Sequence, residues 1–262
     1  MPMNKTLITA GVHGAEIGSV LIAREIKGWV ESRGLDDVKV VPEVNLEAVE
    51  LKQRENPKDG KDLNRIFPGD ENGTKSEQIA HRIFQKAKDF DRIIDLHTYG
   101  KNSWCVPYML TNLDEDYNRE FCEKVGLNNA VQTGGTGGQL FLETSKLGIP
   151  SMIIEAGGSE RYRDELERVK KAVLSLIFDE VFEEKDNEVT YHEYYERIRP
   201  ESQGYFEPKK EPGTQVKKGE VLGLLAEEPV KAPFAGFILG IKMSSEYRSE
   251  KESIAALARK EK

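Results

Sequence analysis

Two of the four histidines in this 262-residue chain stand where an apolar run gives way to polar residues. His13 lies in Gly11-Val12-His13-Gly14-Ala15-Glu16-Ile17-Gly18, directly after Leu7-Ile8-Thr9-Ala10. His97 closes Ile93-Ile94-Asp95-Leu96-His97. Imidazoles and carboxylates are the ligands of catalytic zinc, and two His with one Glu is a set that leaves a coordination position open. Glu16, three residues after His13, supplies such a carboxylate, and at a strand-to-helix turn that spacing lets both aim at one ion. Each piece also has a plainer reading. A glutamate is favoured at a helix N-terminus by the dipole, and a histidine at a strand end is commonly a surface imidazole. The recurrence at the same kind of edge is what favours the metal. Asp95 shares a strand face with His97 because strand side chains alternate. It either orients the imidazole or is solvated.

Two further stretches carry polar residues at informative places. Asp62-Leu63-Asn64-Arg65-Ile66-Phe67-Pro68-Gly69 lies in a long segment, 46–73, that shows little regular structure, and long ordered loops in compact domains are often functional. Asn64 and Arg65 can grip a carboxylate, since a guanidinium fork matches two oxygens. Arg54, shortly before, can face the same pocket. The plainer alternative is a surface ion pair of Asp62 with a nearby cation. In Ser151-Met152-Ile153-Ile154-Glu155-Ala156-Gly157 a carboxylate ends a very apolar run. Glu155 is there either a candidate general base or a capping acid for a helix starting at Ser159-Glu160.

The elements that must position these residues follow from periodicity. Apolar runs at 7–10, 38–41, 92–96, 106–110 and 151–154 read as buried strands. Helical spacing runs through Ile17, Val20, Leu21, Ala23, Ile26 and Val30, with Gly34 placed to stop it. Thr74 with Glu77 forms a capping box ahead of Ile79, Ile83, Phe84 and Ala87. A third helix runs through Leu166, Val169, Val173, Leu176, Ile177 and Val181. Strand–helix alternation predicts an α/β domain over residues 1–187. From 188 to 262 the periodicity disappears into short runs split by Gly and Pro, which predicts a small all-β domain. The acidic stretch from Glu183 to Glu188 reads as a solvated linker.

Composition narrows the function class. The formal net charge is −8 and neither half is basic, so a dedicated nucleic-acid binder is not expected. No apolar run reaches the length of a membrane span, and no signal peptide is evident at Met1-Pro2-Met3-Asn4. Only two cysteines occur, so a reduced, cytoplasmic setting is expected.

Taken together, the motifs resemble one family. His13-Gly14-Ala15-Glu16, Asp62-Leu63-Asn64-Arg65-Ile66-Phe67-Pro68-Gly69, Asp95-Leu96-His97 and Ile154-Glu155-Ala156-Gly157 come in the order of the aspartoacylase/succinylglutamate desuccinylase family, zinc amidohydrolases related to the zinc carboxypeptidases. The resemblance covers about residues 5–160. It implies a zinc-carboxypeptidase-like mixed sheet flanked by helices, and one Zn2+ per chain held by His13, Glu16 and His97. It implies that Arg54 polarises the scissile carbonyl, that Asn64 and Arg65 bind a substrate carboxylate, and that Glu155 is the general base. The chain departs from the family at Ala15, where asparagine is usual. It departs again at Thr144-Ser145-Lys146, where aspartoacylases proper place an arginine.

Pro212-Gly213-Thr214-Gln215-Val216-Lys217-Lys218-Gly219-Glu220 and Val230-Lys231-Ala232-Pro233-Phe234-Ala235-Gly236 are similar to the half-motifs of a biotinyl/lipoyl-like barrel-sandwich. The connection Leu225-Ala226-Glu227-Glu228-Pro229 is short and has no carrier lysine, so a fused β-module is expected, not a carrier. The expected activity is zinc-dependent hydrolysis of the amide bond of an N-acyl amino acid or related small amide. A metallocarboxypeptidase acting on a peptide or murein fragment is the alternative, and a non-catalytic metal-binding protein is a third reading. The expected partner is a small-molecule N-acyl amino acid, with no nucleic acid and no membrane. The sequence is compatible with a homo-oligomer.

Overall fold

A computed structural model describes residues 4–100, 102–135, 137–158, 163–180, 188–248 and 253–261. The first half alternates strand and helix: β1 (Thr6–Ala10), α1 (Ile17–Ser32), β2 (Val38–Val41), α2 (Leu46–Leu51), α3 (Lys75–Ala87) and β3 (Arg92–His97). Then come β4 (Ser103–Thr111), α4 (Asp116–Val125), β5 (Asn129–Gln132), α5 (Leu140–Ser145), β6 (Ser151–Gly157) and α6 (Arg163–Phe178). After α6 the described residues form strands and no helix: β7 (Thr190–Ile198), β8 (Gly204–Pro208), β9 (Gln215–Val216), β10 (Val221–Leu225), β11 (Glu228–Lys231), β12 (Gly236–Lys242), β13 (Ser245–Tyr247) and β14 (Ala255–Lys260).

β2, β1, β3 and β6 pair in parallel in that order. β1, β3 and β6 are buried on both faces, so their apolar runs serve two layers, whereas β2 at the edge exposes Lys39. Ile8, Ala10, Ile94 and Leu96 pack with Ile22, Ala23 and Ile26 of α1 and Val169 and Val173 of α6. Leu7 and Ile93, on the other face, pack with Phe67, Leu140 and the small residues Ala80 and Ala87 of α3. Helix ends follow the local chemistry. Gly34 (φ +63°) stops the chain just beyond α1, because a Cβ is disfavoured in the left-handed region. At the start of α3, Glu77 accepts the Thr74 N–H at 2.7 Å, completing the capping box.

β4 reverses direction against β6 and pairs in parallel with β5. β5 continues into β7, β7 into β14 and β14 into β12, and β12 returns to the first part of β4. These five strands therefore close into a ring, and side chains from all five, among them Tyr108, Val131, Tyr195, Leu239 and Ala256, form one buried cluster. A separate four-stranded sheet runs β11-β10-β8-β13. The β10–β11 hairpin turns on Ala226 and Glu227, both at positive φ. The two half-motifs interlock through the Gly213 N–H on the Ile238 carbonyl and the Gly219 N–H on the Ala232 carbonyl, both 2.8 Å.

The segment 46–73 holds more structure than its sequence suggests, namely α2 and a 3-10 turn at Leu63–Arg65. Both are too short for a helical period to show. α4, β5 and α5 likewise lie outside the periodic runs. The third helix ends its described course at Phe178. Val181, Ser159-Glu160 and residues 183–187 of the acidic stretch fall outside the described residues.

Candidate active site

The carboxyl edge of the parallel strands collects the polar residues. β1 runs into Gly11 (φ +65°), where a Cβ would stand 2.9 Å from the Pro42 carbonyl oxygen. At Gly14 a Cβ would fall 2.0 Å from the Ala48 carbonyl carbon, so only glycine lets this turn seat against α2. The turn delivers His13 to the edge, buried. Glu16 is the residue just ahead of α1, yet its carboxylate caps nothing. It accepts the Thr98 N–H at 3.2 Å and faces two imidazoles, with His13 Nδ1 2.8 Å from Oε1 and His97 Nδ1 2.9 Å from Oε2.

Each imidazole is fixed from behind by a second carboxylate. His13 Nε2 lies 3.0 Å from Asp62 Oδ1, and His97 Nε2 lies 2.9 Å from Asp95 Oδ2. Asp95 is fully buried and also accepts the Thr9 hydroxyl at 2.7 Å. A carboxylate on Nε2–H leaves Nδ1 as the lone-pair nitrogen, the arrangement that orients metal-ligating histidines. One donor atom from each of His13, Glu16 and His97 lies within 4.8 Å of the others. The set of two neutral imidazole nitrogens and one carboxylate oxygen suits a divalent metal with an open position.

Without a metal the charges pair with one another. Burial alone would lower the His13 pKa, but the Glu16 charge and the hydrogen bonds of Asp62 and Glu16 outweigh it and raise it. For His97 burial is likewise overcome by the Asp95 and Glu16 charges, and the pKa rises well above the usual imidazole range. Burial would raise Glu16, but the charges of His13 and His97 hold it far below the usual carboxylate range.

Arg54 joins the cluster at its solvent side. Its Nε and Nη2 donate to Asp62 Oδ2 at 3.1 and 2.8 Å, and its Nη1 stands 3.4 Å from His13 Nδ1 and 3.9 Å from Glu16 Oε1. The loop that carries it is closed by the Asn56 amide, which donates to buried Asn45 Oδ1 at 2.7 Å. Asn64 is buried; its N–H donates to Asp62 Oδ1 at 2.9 Å, while its own Oδ1 has no hydrogen-bond partner among the described residues. Arg65 is exposed, and its Nη1 folds back onto the Asn64 carbonyl at 2.7 Å. It makes no hydrogen bond or ion pair to the His–Glu cluster.

Glu155 sits on β6 directly opposite His97 of β3 and Tyr108 of β4. It is a strand residue, not a helix cap. Only 9% of it is exposed, and its Oε2 has no hydrogen-bond partner among the described residues. Burial, then the Glu16 charge, raise its pKa, while His97, Arg197 and His13 pull it back. A buried carboxyl raised in this way is a competent proton acceptor.

Sequence reasoning missed Asp62 as a partner of His13, because the two are 49 residues apart and only the fold joins them. It also missed Tyr99, Tyr108 and Arg197. Tyr99 and Tyr108 share a hydroxyl–hydroxyl contact of 3.2 Å, and the Arg197 guanidinium lies 5.9 Å from the Tyr99 ring centre. In sequence Arg197 is one charge in an alternating strand, indistinguishable from a solvated face. Of the other histidines, His192 is a buried barrel residue on Asn129 and His81 lies on α3.

The profile of the succinylglutamate desuccinylase/aspartoacylase catalytic domain matches residues 2–179. A curated relative, the N-alpha-acetyl-L-2,4-diaminobutyric acid deacetylase of Halomonas elongata, is 30% identical over 114 residues, 42% of this chain and 33% of that protein. The matched part is thus about a third of the relative. An aspartoacylase family protein of Mesorhizobium loti shares 26% identity with a TM-score of 0.78 over 98% of this chain and 85% of its own. The ectoine utilization protein EutE (DoeB) of Ruegeria pomeroyi, in a product-bound structure, has a TM-score of 0.83 at 21% identity, covering 98% and 86%. At that identity the likeness is one of fold, and the fold is a mixed α/β one.

Proposed function

The chain belongs to the succinylglutamate desuccinylase/aspartoacylase family, and from that premise we propose that it is a zinc-dependent amidohydrolase that removes the acyl group from an N-acyl amino acid or related small amide. The observation that carries this reading is the convergence of His13 Nδ1, His97 Nδ1 and the Glu16 carboxylate beside a buried, unpaired Glu155 oxygen. His13, Glu16 and His97 would hold one zinc per chain. Bound there, zinc supplies Lewis acidity that polarises a carbonyl and acidifies water. Asp62 and Asp95 keep both imidazoles in the ligating tautomer. Glu155 takes the proton of the attacking water and returns it to the leaving nitrogen, a transfer its raised pKa favours. Arg54, held in place by Asp62, presents its guanidinium at the mouth of the cluster, where an oxyanion develops. Asn64 and Arg65 bind a substrate carboxylate, Arg65 by swinging off the Asn64 carbonyl. The same reading takes residues 1–187 as a zinc-carboxypeptidase-like catalytic domain and 188–262 as a barrel-sandwich-like module. Among the described residues no helix follows α6, which supports that division.

The test is hydrolysis of a panel of N-acyl amino acids and dipeptides by the zinc-loaded protein, beside Glu155→Gln. We expect turnover of N-acyl amino acids, and a kcat lower by about 10²–10⁴ in Glu155→Gln with zinc retained. Wild-type kcat in that variant, or loss of its zinc, overturns the assignment. Preference for dipeptides points to a metallocarboxypeptidase.

A further inference from the structure

The two side chains assigned to the substrate carboxylate have no side-chain anchor among the described residues. Asn64 Oδ1 is buried without a hydrogen-bond partner, and Arg65 Nη1 rests on the backbone carbonyl of Asn64. Where they point is therefore set by the backbone of the 3-10 turn Leu63–Arg65. That backbone is held on one side by Asp62, whose Oδ1 accepts the Asn64 N–H. Beyond the turn it is held by α3, where the Glu77 carbonyl accepts the Asp70 N–H at 3.2 Å. A third hold comes from elsewhere in the chain, at Gly138 just ahead of α5. The Gly138 carbonyl accepts the Phe67 N–H at 3.1 Å, and Phe67 packs with Leu140, the first residue of α5.

Gly138 has φ +77°, and a Cβ there would fall 2.3 Å from the Arg65 carbonyl oxygen and 2.6 Å from its carbonyl carbon. Those are backbone atoms, so only glycine lets the two segments close. Gly138 is itself fixed: its N–H donates to Glu143 Oε1 at 2.9 Å, and the same oxygen accepts the Lys146 ammonium at 2.8 Å. We propose that Gly138 and Glu143 are positioning residues of the substrate-carboxylate grip, holding the turn so that the Asn64 amide and the Arg65 guanidinium face the substrate. This inference rests on the amidohydrolase reading and on the grip assigned within it. The grip needs a seat because paired N–H donors bind a carboxylate in a fixed geometry, and a misplacement of about 1 Å can cost about 10²-fold. Among the described residues neither Gly138 nor Glu143 bonds to His13, Glu16, His97 or Glu155, so losing the seat should spare the metal and the base.

The test is steady-state kinetics of zinc-loaded Gly138→Ala, Glu143→Ala and Glu143→Gln, with the N-acyl amino acid that the wild-type protein hydrolyses best. We expect KM to rise about tenfold to hundredfold in Gly138→Ala and less in Glu143→Ala, with kcat and zinc content little changed. Glu143→Gln keeps an acceptor oxygen for the Gly138 N–H and should hold KM near the wild-type value, although it loses the charge facing Lys146. Adding Gly138→Ala to Arg65→Ala should raise KM far less than adding it to the wild type, because a residue that acts through another adds little once the other is gone. If Gly138→Ala does not fold, the two Glu143 variants carry the test. Unchanged KM in the variants that fold, a loss of zinc or kcat in place of the KM rise, equal effects of Glu143→Ala and Glu143→Gln, or an equal KM rise in both backgrounds overturns the proposal. Failure of the amidohydrolase reading shows differently, as a wild-type protein that hydrolyses no N-acyl amino acid. Limited trypsin digestion then reads the seat alone: cleavage after Arg65 should quicken in Gly138→Ala and Glu143→Ala but not in Glu143→Gln, and unchanged cleavage in all three removes the seat as well.

Discussion

His13 and His97 each stand between two carboxylates, and this decides how the metal site responds to substitution and to acid. Removing a ligand should remove the metal. Alanine at His13 or His97 is expected to abolish stoichiometric zinc while the fold persists, as read by metal analysis and circular dichroism. Removing an orienting partner should be milder. Asp62→Asn or Asp95→Asn is expected to weaken zinc by about 10–100-fold, measured against a chelator. Acid competes with the metal because zinc must displace protons from both imidazoles. The pKa values of His13 and His97 are raised, so protons hold these nitrogens to a higher pH than they would an ordinary imidazole. Zinc affinity should therefore fall as pH falls, and the fall should begin above the usual histidine range. Acid also weakens the fold itself, through a group whose pKa is shifted the other way. Asp62 is lowered because, against its burial, hydrogen bonding to His13 and the charges of His13 and Arg54 favour its ionised form. Its contribution is present above the ordinary carboxylate range and is lost as pH falls through its depressed value. A zinc titration that is flat with pH would show that the imidazoles are not the ligands.

At the scale of elements, the site depends on a backbone contact more than on any helix face. The turn after β1 lies against the start of α2, so that a Cβ added at Gly14 would fall 2.0 Å from the Ala48 carbonyl carbon and 2.3 Å from the Val49 nitrogen. These are backbone atoms, which cannot rotate away. Gly14→Ala should therefore push the His13 turn off α2, cost about 1–3 kcal/mol of stability and weaken zinc at the same time. Urea unfolding beside a zinc titration checks both. The control is Gly28→Ala in α1, where an added Cβ meets nothing within 4 Å. That change should stabilise slightly, since alanine is the better helix former.

Considered as a whole, the molecule is joined by hydrogen-bonded strands and not by a linker alone. β5 is partnered by β7, and the start of β4 by β12. Removing residues 188–262 would bare both edges together with the apolar cluster of Tyr108, Leu110 and Val131, a surface prone to aggregation. Residues 1–187 expressed alone are expected to be insoluble or unfolded. The intact protein is expected to unfold in one transition, with Trp104 fluorescence and far-ultraviolet circular dichroism changing together. Trp104 reports well because it packs on the C-terminal cluster while belonging to β4. Zinc at a hundred times its Kd should raise that stability by about 2.7 kcal/mol. Two separated transitions would show that the halves fold independently.

The strands at 7–10, 38–41, 92–96 and 151–154 and the helices α1, α3 and α6 were legible in the chain itself, because burial on one or two faces writes a local period into the residues. His13, Glu16 and His97 were legible for a related reason: each stands where such a period stops. The short elements α2, α5 and β5 were not, since four to six residues hold too little of a period to read. Nor could any local signal pair Asp62 with His13, set Tyr108 beside Glu155, or bring the Arg197 guanidinium over the Tyr99 ring. Those relations join residues more than 40 apart in the chain: the 46–73 loop brings Asp62 to His13, the pairing of β4 with β6 sets Tyr108 opposite Glu155, and the ring of β4, β5, β7, β14 and β12 carries Arg197. Sequence period reports whether a residue is buried. Which residues it is buried against is decided by the pairing of strands, which depends on the whole chain at once.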